Sequence, residues 1–226
     1  MAYLLHIEST STVCSVAISK DAELLAIKEL NNGYTHAENL HVFIDQLLKE
    51  TDLKATDLHA ISVSSGPGSY TGLRIGFSAA KGLAYALQIP LISIETLKAL
   101  SVLAIKQIHT EAVFCPMMDA RRMEVYCAAY DNNLNEVLSI QALVLSEESI
   151  KVFDLQKPTY FFGDGMPKAK ELLQSIPQSF FIDDIFASAS AMIGLAYAKY
   201  EAKDFVDVAY AEPNYLKEFF FTTAKK

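Results

Sequence analysis

The sequence predicts an α/β protein of two lobes, each built on a mixed β-sheet that is flanked by helices. Two observations support this prediction. Residues 1–107 alternate between short apolar runs typical of strands and longer runs with helical periodicity, in the order β-β-β-α-β-α-β-α. Residues 108–226 repeat that order in a looser form. We therefore assign one lobe to residues 1–107 and the other to residues 108–226, with a boundary near 107–111.

The first lobe opens with an antiparallel meander and continues with alternating helices and strands. Three short apolar runs joined by tight turns predict its strands, over residues 3–10, 13–20 and 23–30. A helix follows over about 36–50, because its apolar residues recur at the spacing of one helix face. These residues are Leu40, Phe43, Ile44, Leu47 and Leu48. The remaining predicted elements are strands at 59–66 and 89–96 and helices from about Thr71 and from Glu95 to about Gln107.

The second lobe is predicted from the same kinds of pattern. Its strands are placed at 112–120, 123–131, 136–146 and 158–165, and its helices near 147–153, from Pro167 and over 188–202. Ser188 is suited to cap the last helix, because its hydroxyl can accept a hydrogen bond from a free backbone N–H group. Ribonuclease H-like and actin-like lobes use this element order. The predicted fold is therefore actin-like (ribonuclease H-like) with two lobes.

The composition predicts a cytoplasmic protein with a sizeable core. Half of the 226 residues are hydrophobic (51%), but no apolar run reaches the ~18 residues of a membrane-spanning helix. The N-terminus has neither the basic region nor the long apolar region of a signal peptide. Cys14, Cys115 and Cys127 form no CxxC pair, which argues against a disulfide framework and a zinc knuckle.

The acidic charge balance limits the partners that we expect. The chain has 19 basic and 27 acidic side chains and a net charge of −8. Neutralisation of phosphates dominates affinity for nucleic acids, so such a chain is a poor nucleic-acid binder on its own. We expect any role on a nucleic acid to be exercised through a partner protein.

The stretch "SSGPGSYTGLRIGFSAAKGLAYAL" at 64–87 places a glycine-rich loop before a helix of small residues. Helix N-termini attract anions, which makes a phosphate site one interpretation. The spacing nevertheless matches neither a Walker A loop nor GxGxxG. We favour the other interpretation, a tight turn that lets the helix pack closely. The motif residues of the loop are Gly66, Pro67, Gly68, Ser69, Tyr70, Thr71 and Arg74.

The helix that follows the loop has a ridge of small residues. The ridge consists of Gly72, Gly76, Ala80 and Ala84, which recur every four residues. Glycine in a helix interior costs ~1 kcal/mol relative to alanine, so Gly76 and Gly82 indicate a close packing contact. The sequence does not distinguish a contact with the chain's own sheet from a contact with another chain. We predict a partner-binding ridge, flanked by Leu40, Phe43, Ile44 and Leu47, and expect Ala80→Arg to abolish partner binding without unfolding the monomer.

Several segments together resemble one family. "SGPGSYTGLRIG" is similar to the signature of the TsaB (YeaZ) family, and "LLHIESTSTVCSVAI", "HAENLHVFIDQLL", "MDARRMEVYCAAY" and "AEPNYLK" resemble other parts of it. The resemblance covers nearly the whole chain. It implies an actin-like fold and a cytoplasmic, non-catalytic subunit that supports a TsaD-like transferase in forming N6-threonylcarbamoyladenosine in tRNA. It also implies association with a TsaE-like ATPase, with tRNA reached through the complex. Whether the isolated chain forms a homodimer through the same face stays open.

A nucleotide site is an expectation that the residues support only weakly. The candidate cofactor-binding residues are Glu8, Ser9, Thr10, Gly163 and Gly165. The family usually has Asp where this chain has Glu8, and the longer side chain puts a nucleotide role in doubt. We therefore expect no firm cofactor, with ATP or ADP bound only in the assembled complex. A small-molecule kinase of the actin-like superfamily is the alternative function.

A metal site is not expected from the histidines. TsaD-type enzymes hold a metal with an HxxxH pair, whereas here His36 is followed four residues later by Leu40, and His41 lies roughly 140° around the helix. We interpret His36 as a solvated residue at a helix start and expect no peptidase activity and no bound metal.

Two further segments leave alternatives open. Asp119, Arg121, Arg122 and Glu124 form a charged cluster, which fits an active site less well than a solvated turn or an ion pair between the lobes. Three phenylalanines in "LKEFFFTTAKK" fit either a cover for the first lobe or a partner surface.

Overall fold

Two five-stranded mixed sheets organise the part of the chain that this computed structural model describes, residues 1–33 and 35–217. In the first sheet the strand order is β3-β2-β1-β4-β5; β1, β2 and β3 are antiparallel, and β4 and β5 continue parallel to β1. Its strands are β1 (Tyr3–Glu8), β2 (Cys14–Lys20), β3 (Glu23–Leu30), β4 (Ala60–Ser64) and β5 (Leu91–Ile94). The predicted meander and the alternating units that follow it are both present.

The second sheet repeats the architecture of the first. Its order is β8-β7-β6-β9-β10, again an antiparallel trio extended by two parallel strands. The strands are β6 (Val113–Asp119), β7 (Glu124–Tyr130), β8 (Glu136–Val144), β9 (Thr159–Phe162) and β10 (Ser179–Phe181). The sequence analysis missed β10, a three-residue edge strand too short to show an alternating pattern.

Helices cover the outer faces of the two sheets. α1 (His36–Glu50) and α2 (Tyr70–Leu87) pack on the first sheet, and α4 (Met166–Leu173) packs on the second together with a 3-10 helix over Ser149–Phe153. The apolar stripe of α1 is the one that its spacing predicts, with Leu40, Ile44 and Leu47 buried.

The remaining helices cover the other face of the first sheet, and α3 (Thr96–Ile105) also contacts the second sheet. α3 places Leu97 and Leu100 in the core of the second lobe and Ala99 against the first sheet. A 3-10 helix over Ala189–Met192 continues into α5 (Ile193–Glu201), and both pack on the first sheet. Ser188 caps the 3-10 helix by accepting a hydrogen bond from the backbone N–H of Ser190. The chain therefore returns to the first lobe after it has completed the second sheet.

The segment 206–217, which we call the C-terminal strap, runs along α2. The backbone N–H of Val206 donates to the carbonyl of Leu91 over 3.0 Å. Lys81 Nζ donates to the carbonyls of Ala209 and Ala211 at 3.0 and 2.8 Å. The strap thus holds to the first lobe at several points. The three phenylalanines considered above, Phe219, Phe220 and Phe221, lie outside the described residues.

The predicted partner-binding ridge is part of the chain's own core, and that prediction is wrong. Gly72, Gly76, Ala80 and Ala84 are all buried, and Ala80 is 0% exposed. The residues predicted to flank the ridge are also interior: Leu40, Ile44 and Leu47 are buried, and Phe43 is half-buried against the same cluster. The small side chains allow α2 to approach β1 and β4, because a larger residue would hold the helix away from the sheet.

Among the described residues, no helix is long and apolar enough to span a membrane.

Candidate functional site

The glycine-rich loop packs on the residues that follow β1. A Cβ atom added to Gly68 or Gly72 would lie closer than 3.0 Å to the backbone of Thr10 or Ser9, respectively. A Cβ atom at Gly76 would lie equally close to Ser9 Oγ. These three positions require glycine because any other side chain would occupy space that residues 9 and 10 fill.

Hydrogen bonds complete this contact. The backbone N–H of Ser69 donates to the carbonyl of Thr10 over 2.6 Å, and Ser9 Oγ donates to the carbonyl of Gly72 over 2.8 Å. The Ser69 side chain caps α2 by accepting from the backbone N–H of Gly72. The N–H groups of Ser69 and Gly72 and the hydroxyl of Ser9 thus donate to the chain itself, which favours the packing interpretation of the loop.

Glu8, Ser9 and Thr10, the first group of candidate cofactor residues, are each 1% exposed. Glu8 accepts hydrogen bonds from the backbone N–H and the hydroxyl of Thr10. Burial raises the pKa of Glu8, because desolvation disfavours its charged form. This carboxyl is bonded to Thr10 in the interior and does not face open space.

Gly163 and Gly165, the second group, occupy the corresponding place in the second lobe. A Cβ atom at either position would lie closer than 3.0 Å to the backbone of residues 117–119. The Asp164 carboxylate accepts a hydrogen bond from the backbone N–H of Asp119 over 3.0 Å, and burial raises the pKa of Asp164. In both lobes the chain's own backbone occupies the space beside the glycines of the turn, Gly68 and Gly72 in the first lobe and Gly163 and Gly165 in the second.

From this geometry we expect the isolated chain to bind ATP and ADP only weakly. A phosphate would have to displace the contact between the glycine-rich loop and residues 9–10. The dissociation constant with Mg²⁺ should be about 1 mM or weaker, which corresponds to a binding free energy of about −4 kcal/mol or less favourable. Isothermal titration calorimetry of the chain alone measures this constant, and a micromolar value would restore the kinase alternative.

Tyr70 and Arg74 of the loop motif hold the C-terminal strap. The Arg74 guanidinium carbon lies 4.1 Å from the centroid of the Tyr70 ring, and Arg74 Nε donates to Tyr215 Oη over 3.3 Å. The Tyr70 and Tyr215 ring centroids are 5.1 Å apart. The backbone N–H of Asn214 donates to the carbonyl of Ser65 over 2.7 Å. Tyr70 and Arg74 therefore bind the strap of their own chain, a contact that the local sequence around them does not predict.

The histidine pair has a different environment from the one expected. His36 is buried, not solvated, and its Nε2 is hydrogen-bonded to the carbonyl of Ser11 over 2.9 Å. The interpretation of His36 as a solvated residue is wrong, because the helix start packs against the loop after β1. His41 is exposed. Within residues 1–33 and 35–217, no group of three or more His, Cys, Asp or Glu side chains is arranged to hold a metal.

The outward face of α2 has a second stripe of small residues, which the sequence analysis did not identify. Ser78, Gly82 and Ala86 are exposed and recur every four residues. A Cβ atom at Gly82 would meet nothing within 4 Å. Val42 of α1 and Tyr85 of α2 are large apolar or aromatic residues that are also exposed, Tyr85 by 80%. We call Ser78, Gly82, Ala86, Val42 and Tyr85 the outer helix face.

Comparison with known proteins identifies the family. The family described as "TsaD: tRNA N6-adenosine threonylcarbamoyltransferase" matches residues 32–221. The chain is 28% identical to TsaB of Bacillus subtilis, over 76% of each chain, and 32% identical to TsaB of Escherichia coli, over 59% of this chain and 57% of the relative. The chain belongs to the TsaD family, on its TsaB (YeaZ) branch. The resemblance given by the loop motif is thereby confirmed.

Solved structures confirm the fold class. YeaZ from Pseudomonas aeruginosa superposes with a TM-score of 0.84 at 25% identity, covering 96% of this chain and all of the other. Component A of (R)-2-hydroxyglutaryl-CoA dehydratase from Acidaminococcus fermentans superposes with a TM-score of 0.54 at 11% identity, covering 90% of this chain and all of the other. This second likeness bears on the fold alone. The actin-like, two-lobe α/β architecture predicted from the element order is correct.

Proposed function

We propose that this chain is the non-catalytic docking subunit of a complex that forms N6-threonylcarbamoyladenosine in tRNA. In this proposal the chain binds a TsaD-like transferase in the cytoplasm. It associates with a TsaE-like ATPase and with the tRNA substrate through the complex. ATP or ADP is bound only in the assembled complex. The names of the TsaB relatives support the pathway, and the outer helix face supports the docking role.

Gly82 is the observation that carries the docking role. A glycine in the interior of an 18-residue helix costs about 1 kcal/mol relative to alanine. Gly76 has an internal reason for this cost, since Ser9 Oγ fills the space of its absent side chain. Gly82 has no such reason, because its missing Cβ atom faces open space. A helix or loop of another chain can therefore approach α2 closely at Gly82.

The surroundings of Gly82 suit a protein contact. Ser78 and Ala86 extend this surface of small residues by one turn in each direction. Tyr85 of α2 and Val42 of the neighbouring helix α1 are large exposed residues. Tyrosine is enriched among the residues that contribute most to protein interfaces. This outer helix face replaces the buried ridge as the proposed site of the partner.

The buried nucleophiles support a non-catalytic role. Cys14, Cys115 and Cys127 are buried, and the reactive form of cysteine is the thiolate. Burial raises the pKa of Cys14 to about 11 and that of Cys127 to about 12, so both thiols stay protonated near neutral pH. Their environments are those of packing residues.

Gly82→Arg is the change that tests the docking role. The variant should remain folded, because arginine is a better helix former than glycine and Gly82 faces solvent. The affinity for the TsaD-like protein of the same organism should fall by at least about 100-fold, which corresponds to about 2.8 kcal/mol. Surface plasmon resonance gives the affinity and thermal melting gives the stability.

Gly194→Arg is the matched control. Gly194 lies in α5, is exposed, and has nothing within 4 Å of a Cβ position. This variant should bind the partner like the wild type. A wild-type chain that does not bind the TsaD-like protein would overturn the proposed function. Unchanged binding by Gly82→Arg would exclude the outer helix face. Sedimentation of the isolated wild type and of Gly82→Arg shows whether a second copy of the chain uses the same face.

A further inference from the structure

The turn between β6 and β7 presents two adjacent arginines in an unusual backbone conformation. Arg121 has φ of 64° and Arg122 has φ of 50°. Residues with a Cβ atom rarely adopt this left-handed region, and consecutive examples without glycine or asparagine are rarer still. Both arginines are exposed. An observed outlier of this kind, held by the surrounding structure, is a reason to look for a function.

Neighbouring side chains fix the backbone of this turn. The Asp119 carboxylate accepts a hydrogen bond from the backbone N–H of Arg121 over 2.9 Å. Lys168 Nζ donates to the carbonyl of Arg122 over 2.9 Å and also contacts the Asp119 carboxylate. The turn is therefore held on both sides, while both arginine residues stay exposed.

The positive charge of the two arginines is not neutralised locally. Asp119 is paired with Lys168, and Glu124 is paired with Lys217 of the C-terminal strap. The nearby carboxylates thus already have lysine partners. Within residues 1–33 and 35–217, neither guanidinium has an ion-pair or hydrogen-bond partner. The tip of the hairpin carries two available positive charges on a chain whose net charge is −8.

We infer that Arg121 and Arg122 bind backbone phosphates of the tRNA on which the complex acts. This inference rests on the proposed function for the presence of tRNA. A guanidinium group donates two parallel hydrogen bonds to a phosphate, and arginine is the side chain best suited to such contacts. Because the rest of the chain is acidic, the contact adds to tRNA binding by the complex and does not create it alone. An acidic surface of a protein partner is the competing occupant.

The test compares the wild type with Arg121→Gln/Arg122→Gln in complex with the TsaD-like protein. The probe is an unmodified tRNA transcript, and its affinity is measured by fluorescence anisotropy at several salt concentrations. The variant should bind at least about tenfold more weakly near 0.15 M salt. The slope of log K against log salt should be smaller by about 1.4 to 1.8, the value for two lost phosphate contacts. Arg121→Lys/Arg122→Lys should keep most of the slope.

Lys106→Gln/Lys203→Gln is the control for charge. Both lysines are exposed and lie on other elements, just after α3 and α5, so the control removes the same charge outside the β6–β7 hairpin. It should leave affinity and slope nearly unchanged. Equal tRNA binding by the arginine variant and the wild type would overturn the inference, as would an equal loss in the lysine control.

The proposed function and this inference can fail separately. Partner binding is measured first without tRNA. If the wild type does not bind the TsaD-like protein, the proposed function fails, and the isolated chains are then compared on tRNA at low salt. If the arginine variant loses the partner in the absence of tRNA, the turn contacts an acidic protein surface and the RNA inference is wrong.

Discussion

Ala80→Arg is expected to leave the first lobe unfolded at 25 °C. Ala80 is 0% exposed in the core formed by α1, α2 and the first sheet. Arginine there adds volume to a close-packed seam, which typically costs 1–3 kcal/mol. It also buries a charge without a partner, which adds several kcal/mol. The sum is comparable to the roughly 5–15 kcal/mol that stabilises a typical domain.

Circular dichroism and urea unfolding measure this effect. Gly82→Arg, two residues along the same helix but on its exposed side, provides the matched control and should melt at or above the wild-type temperature. An Ala80→Arg chain that melts like the wild type would show that α2 packs differently. The contrast between the two variants separates the internal face of α2 from its outer face.

Acid should destabilise the chain through His6. This histidine is 0% exposed, with Nε2 2.8 Å from Ser19 Oγ and Nδ1 2.7 Å from Ser62 Oγ. Ser19 Oγ donates to the carbonyl of Asp21, so it accepts from the N–H at Nε2, and Nδ1 accepts from Ser62. Burial lowers the pKa of His6 to about 3, because desolvation disfavours the imidazolium.

The sign of the pH effect follows from proton binding. The unfolded chain binds a proton near pH 6.5, and the folded chain binds it only near pH 3. The contribution of His6 to the free energy of unfolding is therefore fully present above pH 6.5 and falls steadily as the pH drops towards 3. Between pH 7 and pH 5 the loss from His6 should be about 2 kcal/mol. Urea unfolding at a series of pH values measures it.

His6→Gln isolates this contribution. The variant lacks the titrating group, so its stability should change by about 2 kcal/mol less than the wild type over the same interval. Glu8 acts in the opposite direction: its raised pKa means that its contribution is greatest below its unfolded pKa and is lost as the pH rises. Because Glu8 is present in both chains, its effect cancels in the comparison. If the free energies of unfolding of the wild type and His6→Gln changed equally between pH 7 and pH 5, His6 would not be the source of the pH dependence.

The periodicity of the sequence was sufficient to predict most of the fold. α1 begins and ends at the predicted residues, 36 and 50, because its apolar positions match one helix face. The repeated order of elements predicted two related sheets for the same reason. β10 was missed because three residues cannot establish an alternating pattern.

The candidate site was harder to predict, because a stripe of small residues indicates a close contact but not the side from which the contact comes. Gly76 and Gly82 have the same local signal, yet Gly76 faces Ser9 and Gly82 faces solvent. The pairing of Arg74 with Tyr215 joins residues 141 positions apart, a distance that no local pattern encodes. His36 was misassigned for the same reason, since its partner Ser11 lies in a loop 25 residues earlier.

The return of the chain to the first sheet after residue 188 determines when the first lobe can finish folding during synthesis. The inner face of that sheet is covered by Ala191, Met192 and Ala196, which a ribosome adds after all ten strands. A nascent chain that ends at the lobe boundary has one side of its first sheet covered by α1 and α2, whereas only α3 packs on the other side. Domains usually fold as units while they are being synthesised. Here the first lobe is the earlier to be made but cannot be completed until residues 189–196 have emerged.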